Sequence, residues 1–271
     1  MRIKAGFTLG YDCSQPTPML LCLSVHPSRQ ADLLTTQHLT FMPEVQAWDY
    51  TDAFGNVCTR ITAPVGRTMI STAFEISDDG RPDYIPIGAL QHDIKDLPDE
   101  TLMFLLGSRY CETDRLTNLA WQLFGNTPLG WPRVQAILDY VHNHIKFDYQ
   151  RADRTRSAYG AYLEQTGVCR DYTHLFIAFC RAMNIPARYC TGYLGDIGNI
   201  PVPGPMDFSA WAEVYLGGHW YTADARNNAP RIGRILMAIG RDATDVALST
   251  EFGPSLLGHF EVVTEETKEP A

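Results

Sequence analysis

The residues best suited to chemistry are Gly167-Val168-Cys169-Arg170-Asp171, placed immediately before the helical run Tyr172 to Arg181. A glycine turn that delivers a cysteine to a helix start favours an activated thiolate. First-turn N–H groups and the helix dipole stabilise negative sulfur, so the spacing predicts a lowered thiol pKa at Cys169. A thiolate attacks carbonyl carbon readily, and the chemistry then needs a proton-transfer partner and an orienting carboxylate.

The elements that must position this cysteine follow from hydrophobic periodicity and turn signals. The first ninety or so residues read as short strands, among them Met19 to Val25 and Arg67 to Phe74. They are bounded by turn signals such as Gly55-Asn56 and Asp78-Asp79-Gly80, a pattern that predicts a small antiparallel sandwich. A Pro-rich stretch from Arg81 to Pro98 reads as a surface crossing. Helical character begins at Pro98-Asp99-Glu100, with acidic residues in the first turn. A second helix is expected to end at Phe124-Gly125. A third begins at Trp131-Pro132, with Val134, Ile137, Leu138, Val141 and Ile145 at helical spacing. The Cys169 helix should stop near Met183-Asn184. Strand sequence follows over Ala187 to Leu194, then a Gly/Pro-rich loop through residue 205. A hairpin then runs with arms Phe208 to Leu216 and His219 to Asp224 around Gly217-Gly218. The fold class read from this order is α+β: an N-terminal antiparallel β-sandwich over residues 1–95, and a core of helices on an antiparallel sheet over 96–271.

At this point a resemblance becomes specific. Gly167-Val168-Cys169-Arg170-Asp171 opening a helix is followed by Asn184-Ile185-Pro186-Ala187-Arg188-Tyr189. Next come Ala210-Trp211-Ala212-Glu213-Val214-Tyr215 and Trp220-Tyr221-Thr222-Ala223-Asp224. The set resembles the bacterial transglutaminase-like proteins, whose papain-related core carries a Cys-His-Asp triad, over roughly residues 100 to 250. The preceding β segment resembles the N-terminal domain often attached to such cores. The resemblance implies acyl transfer through a thioester, to water or to an amine, with hydrolysis of peptide or isopeptide amides the common bacterial case. It implies Cys169 as nucleophile and Asp224 as orienting acid. The histidine should immediately precede Ala210, and that position holds Ser209. A serine hydroxyl is neither a base near neutral pH nor an ion-pair partner for a thiolate.

Hairpin geometry tests for a substitute. A two-residue turn at Gly217-Gly218 sets Leu216 against His219 and Trp211 against Asp224, with Ser209, Trp211 and Asp224 on one face. His219 then lies roughly 23 Å from Ser209 at ~3.3 Å per residue. His174 follows Cys169 by five residues, about 140° around the helix, and reads as a packing histidine. His142 and His144 do not share a helix face, and no ligand spacing for a metal accompanies them. His26, His38, His92 and His259 are not placed by the sequence. Trp211 could shape an acyl-binding cleft or belong to the core. Gln165 could donate to an oxyanion, as could the Cys169 N–H. Arg170 and Asp171 could equally cap the helix or touch substrate.

Composition narrows the function classes. A net charge of -9 over 271 residues excludes a broad phosphate-binding surface, so no nucleic-acid partner is expected. No apolar run reaches the roughly 20 residues that span a bilayer, and the N-terminus lacks a signal-peptide pattern. Seven scattered cysteines without a Cys-x-x-Cys pair fit a reducing compartment. A cytoplasmic protein is expected, without membrane partner, metal or cofactor. Cys22, Cys58, Cys180 and Cys190 read as small core residues.

Three readings stand: a cysteine-nucleophile enzyme acting on a peptide or amide; a non-catalytic binding or scaffold protein on the same fold; and an enzyme whose histidine enters from the β domain or another subunit.

Overall fold

The computed structural model describes residues 1–200 and 206–267. The expected Gly/Pro-rich loop through residue 205 therefore lies partly outside the described residues. Six strands come first: β1 (Arg2–Cys13), β2 (Thr17–Leu21), β3 (Thr40–Met42), β4 (Ala47–Thr51), β5 (Val57–Ala63) and β6 (Gly66–Ser77). Then follow α1 (Asp99–Leu102), α2 (Thr113–Phe124), α3 (Trp131–His144), β7 (Lys146–Phe147), α4 (Ala158–Glu164), β8 (Thr166–Gly167) and α5 (Cys169–Ala182). The chain closes with β9 (Ala187–Tyr193), β10 (Ser209–Leu216), β11 (His219–Ala223), β12 (Ile235–Gly240), β13 (Ser249–Glu251) and β14 (Ser255–Glu266). The α+β order is the one the periodicity predicts. The helix α4 is only seven residues long, about two turns, too short for a helical period to stand out in the sequence.

The β-sandwich is not built from the N-terminal segment alone. Its sheets run β14-β1-β6-β3 and β13-β2-β5-β4, so the C-terminal strands β13 and β14 occupy an edge in each. β14 pairs with β1 from Ile3↔Glu266 to Cys13↔Ser255. This corrects a division at residue 95: one flank of β1 is supplied by residues that such a boundary assigns to the core. The return is physically required, because β1 is buried along nearly its whole length and an unpaired long strand would leave its backbone groups without partners.

The second layer is the sheet β11-β10-β9-β12. Its β10–β11 hairpin, with β11 at the sheet edge, has the predicted register, with Leu216 opposite His219 and Ala212 opposite Ala223. Gly217 and Gly218 take φ of 55° and 88°, the paired positive values of a tight hairpin turn that favour glycine at both positions. One face of this sheet carries α5, which is buried from Asp171 through Ala182 between β10, α2, α3 and α4. Fully burying Leu175, Phe176, Ile177 and Phe179 contributes about 1.5–3 kcal/mol each, which fixes the helix and its first residue in place. Asn184, at φ 62°, stops the helix in a left-handed conformation that asparagine tolerates. The other face contributes Tyr193, Ile235 and Met237 to the same apolar cluster as Phe7 and Leu9 of β1 and Met19 of β2. The sandwich and the core sheet therefore share one hydrophobic interior.

Candidate active site

Cys169 is the first residue of α5, after Val168 in an extended conformation. The turn is held by Asp171, whose Oδ2 accepts from the Val168 N–H at 2.8 Å and pairs with Arg156 Nη1 at 3.2 Å. Asp171 is fully buried, so it is a capping residue and does not reach substrate. Gly167 is required by this arrangement: a methyl group there would come 2.5 Å from Asp171 Oδ2. The sequence thus encodes a rigid presentation of the cysteine, as expected.

Cys169 opens onto a cavity of about 670 Å³ between the core and the sandwich. Its walls include Arg170, Asp207, Ser209 and Tyr189 on one side, and Tyr11 of β1 with Phe260 of β14 on the other. The Ala210 N–H is directed at the Cys169 sulfur. Ser209 occupies the position expected for the histidine and lines the same cavity; its Oγ is buried and has no hydrogen-bond partner.

The electrostatics overturn one expectation. The Cys169 thiol is pushed up to about 11, first by burial and then by the negative charge of Asp207, with a smaller push from Asp224. Arg226 and the Ala210 N–H act the other way without prevailing. Helix position alone predicts a lowered value, but desolvation and a neighbouring carboxylate outweigh the dipole. Asp207 is itself pushed up to about 6 by burial, against the Phe208 N–H and Arg226. The Tyr149 phenol is raised by burial and by Asp207 and Cys169, with Arg226 again opposing. Cys169, Asp207, Arg226 and Tyr149 therefore form one electrostatic group.

The other predicted site residues lie elsewhere. Asp224 is buried just after β11. It accepts from the Asn227 N–H at 2.9 Å and from the Asn227 side chain at 2.7 Å, and pairs with Arg234 Nη2 at 2.7 Å. Burial would raise its carboxyl, but Arg234 and Asn227 hold it below the usual range. Asp224 borders a narrow pocket with Trp131 and Tyr84, and is not part of the Cys169 cavity wall. Trp211 is 2% exposed and packs with Cys190 and Ile239, with Arg234 stacked 5.0 Å from its ring centroid. It is a core residue with no face on the cavity. Gln165 ends α4 at φ 54°, exposed and away from the cavity, because the left-handed turn that leads into β8 directs it outward.

No histidine lines the Cys169 cavity among the described residues. His174 is fully buried and stacked on Tyr110, its Nε2 accepting from the Ala243 N–H at 3.2 Å; burial pushes it down to about 3. It is the packing histidine its helix angle predicts. His142 donates through Nδ1 to the Ala225 and Arg226 carbonyls, and His144 lies stacked between Tyr140 and Tyr162. Asp207 and Arg226 were not read from the sequence. The only signal for Asp207 is its place two residues before Ser209, and nothing in Arg226's neighbourhood distinguishes it from a loop arginine.

Residues 118–225 match the transglutaminase-like superfamily, a span that includes Cys169, Ser209 and Asp224. The whole chain superposes on a crystal structure described as "a Putative Cysteine Protease from Cytophaga hutchinsonii". That likeness has a TM-score of 0.85 and 29% identity, covering 100% of this chain and 92% of the other. An uncharacterized protein of Mycobacterium leprae is 37% identical over 84 residues, which span 30% of this chain and 30% of that relative. The periplasmic domain of TgpA from Pseudomonas aeruginosa is a more distant likeness, at TM-score 0.40 and 15% identity over 83% of this chain and 90% of that one, and does not bear on the site. A helix-borne cysteine, an antiparallel sheet packed against that helix and the matched segment agree with one another: residues 118–225 carry a transglutaminase-like superfamily core.

Proposed function

We propose that the chain is a cysteine-nucleophile acyl-transfer enzyme that hydrolyses a peptide or amide bond through a thioester on Cys169. The observation that carries this is the presentation of Cys169 at the first turn of α5, on the wall of an open cavity of about 670 Å³, beside an unpartnered Ser209 hydroxyl. Helix geometry leaves the Cys169 N–H without an intrahelical acceptor, which makes it a donor to a developing oxyanion. In acylation the sulfur bonds to the carbonyl carbon and the carbon–nitrogen bond breaks with a proton delivered to the amine. In deacylation water adds to the thioester and the thiol leaves. The likeness to the Cytophaga hutchinsonii protein, whose description names a cysteine protease, supports a peptide or amide substrate. Seven cysteines, all free, support a cytoplasmic setting. No helix among the described residues is long and apolar enough to cross a membrane.

A second reading, a non-catalytic binding protein using the same cleft, is favoured by one observation: the thiol is pushed up to about 11, the direction opposite to activation. Intact-mass analysis after mixing with p-nitrophenyl acetate separates the two. The enzyme reading expects one acetyl group on Cys169, absent from Cys169→Ala and lost again on standing as water deacylates it. No adduct across the stable pH range leaves the binding reading.

A further inference from the structure

We infer that Asp207 is the proton-transfer residue for Cys169: a carboxylate on the same cavity wall serves where the strand position expected for a histidine holds Ser209. The inference rests on Cys169 being the nucleophile, and adds which group moves its proton. Asp207 lies two residues before Ser209, at the entry to β10, and is the charged group with the largest influence on the Cys169 thiol.

Elimination supports the assignment. Arg109, Arg154 and Arg170 line the cavity, and a guanidinium offers hydrogen-bond donors and no acceptor. Burial pushes Tyr11 up to about 12 and raises Tyr189 well above the usual phenol value, and Tyr149 is raised as well. Tyr110 donates its hydroxyl to the Arg154 carbonyl. Asp153, at the rim, is held low by hydrogen bonds from Thr155. Asp224 is committed to Arg234. Asp207, pushed up to about 6, has nearly the proton affinity of an ordinary imidazole, ~6.5. A base with that affinity is matched to work near neutral pH. The groups that act on it are Cys169 from α5, Tyr149 from the turn after β7, and Arg226 from the loop after β11.

The proton balance closes. Ionised Asp207 takes the thiol proton as the sulfur–carbon bond forms. The resulting carboxylic acid gives that proton to the departing amine as the carbon–nitrogen bond breaks. In the second half Asp207 takes a proton from the attacking water and returns it to the leaving sulfur. Arg226, which opposes the charge of both Asp207 and Cys169, stabilises whichever of them is anionic.

Two reagents with different demands test this in the full chain. Iodoacetamide needs thiolate, whereas p-nitrophenyl acetate can be attacked with a general base removing the proton in flight. Expected for the native protein is an acetylation rate that levels off above about pH 6, the value at Asp207, while alkylation keeps climbing towards pH of about 11. Asp207→Asn should slow acetylation at neutral pH by about 10²–10⁴-fold. It should also make both reagents follow the thiolate, with the alkylation profile displaced to lower pH because the negative neighbour is gone. Asp207→Glu should keep part of the plateau, which separates a lost carboxylate from a damaged fold. Acetylation that follows thiolate in the native protein, or an unchanged profile in Asp207→Asn, overturns the role of Asp207 and leaves Cys169 as the nucleophile. No acetyl adduct at all overturns both.

Discussion

Asp224 Oδ2 and Arg234 Nη2 stand 2.7 Å apart, and both side chains are under a tenth exposed. Arg234 also reaches Asp83 at 2.9 Å and covers the face of Trp211. In this position Asp224 holds a buried cation in the sheet-to-loop junction. Among the described residues, the oriented partner that the family resemblance assigns to such an acid, an imidazole, does not line the Cys169 cavity.

Arg234→Met therefore leaves a buried carboxylate without its main charge partner. The expected loss is about 3–5 kcal/mol of folding stability, read as a fall in the urea midpoint, because removing one member of a buried pair strands the other. Asp224→Asn is expected to change the acetylation rate of Cys169 by no more than about threefold, far below the ~10⁴-fold effect of removing a working triad acid. A large rate loss without a matching loss of stability would restore Asp224 to the catalytic group.

Asp207 and Asp224 make opposite contributions to the pH dependence of stability. Asp207 is raised to about 6 in the folded chain, so between its unfolded value of ~3.9 and 6 the native state binds more protons than the unfolded one. Stability contributed by this residue falls by about 3 kcal/mol as pH rises through that window. Asp224 is held low, so its contribution is present above ~3.9 and is lost only as pH falls through its folded value. Urea midpoints taken between about pH 4 and pH 7 should show the Asp207 slope in the native protein and its flattening in Asp207→Asn.

Ser209→His places an imidazole on the cavity wall that holds Cys169. The expected outcome is an imidazolium–thiolate pair and alkylation by iodoacetamide at neutral pH at least ~10-fold faster than in the native protein. An unchanged alkylation profile in a folded variant would mean that the side chain at this position does not reach the sulfur.

A chain ending at residue 95 lacks β13 and β14, one edge strand from each sandwich sheet. It is expected to be insoluble or unfolded by circular dichroism, since β1 would expose an unpaired flank twelve residues long. A stable, monodisperse fragment would show that the sandwich folds without its C-terminal strands.

Several parts of this protein were legible in the sequence because they are local. The start of α5 is written in Gly167 and Asp171, four positions apart, one making room for the other's carboxylate. The β10–β11 register follows from Gly217-Gly218 and strand alternation, and His174 is placed by helix angle alone. What only the tertiary structure decided depends on segments distant along the chain. The helix start favours a low thiol pKa at Cys169, yet burial and Asp207, brought in from the entry to β10, reverse its direction. The partner of Asp224 is Arg234 from beyond the hairpin, and the flank of β1 is closed by the last strand. Sequence spacing specifies which backbone carries a side chain. Its proton affinity is set by desolvation and by charges within a few ångströms, and those are fixed only when the layers pack.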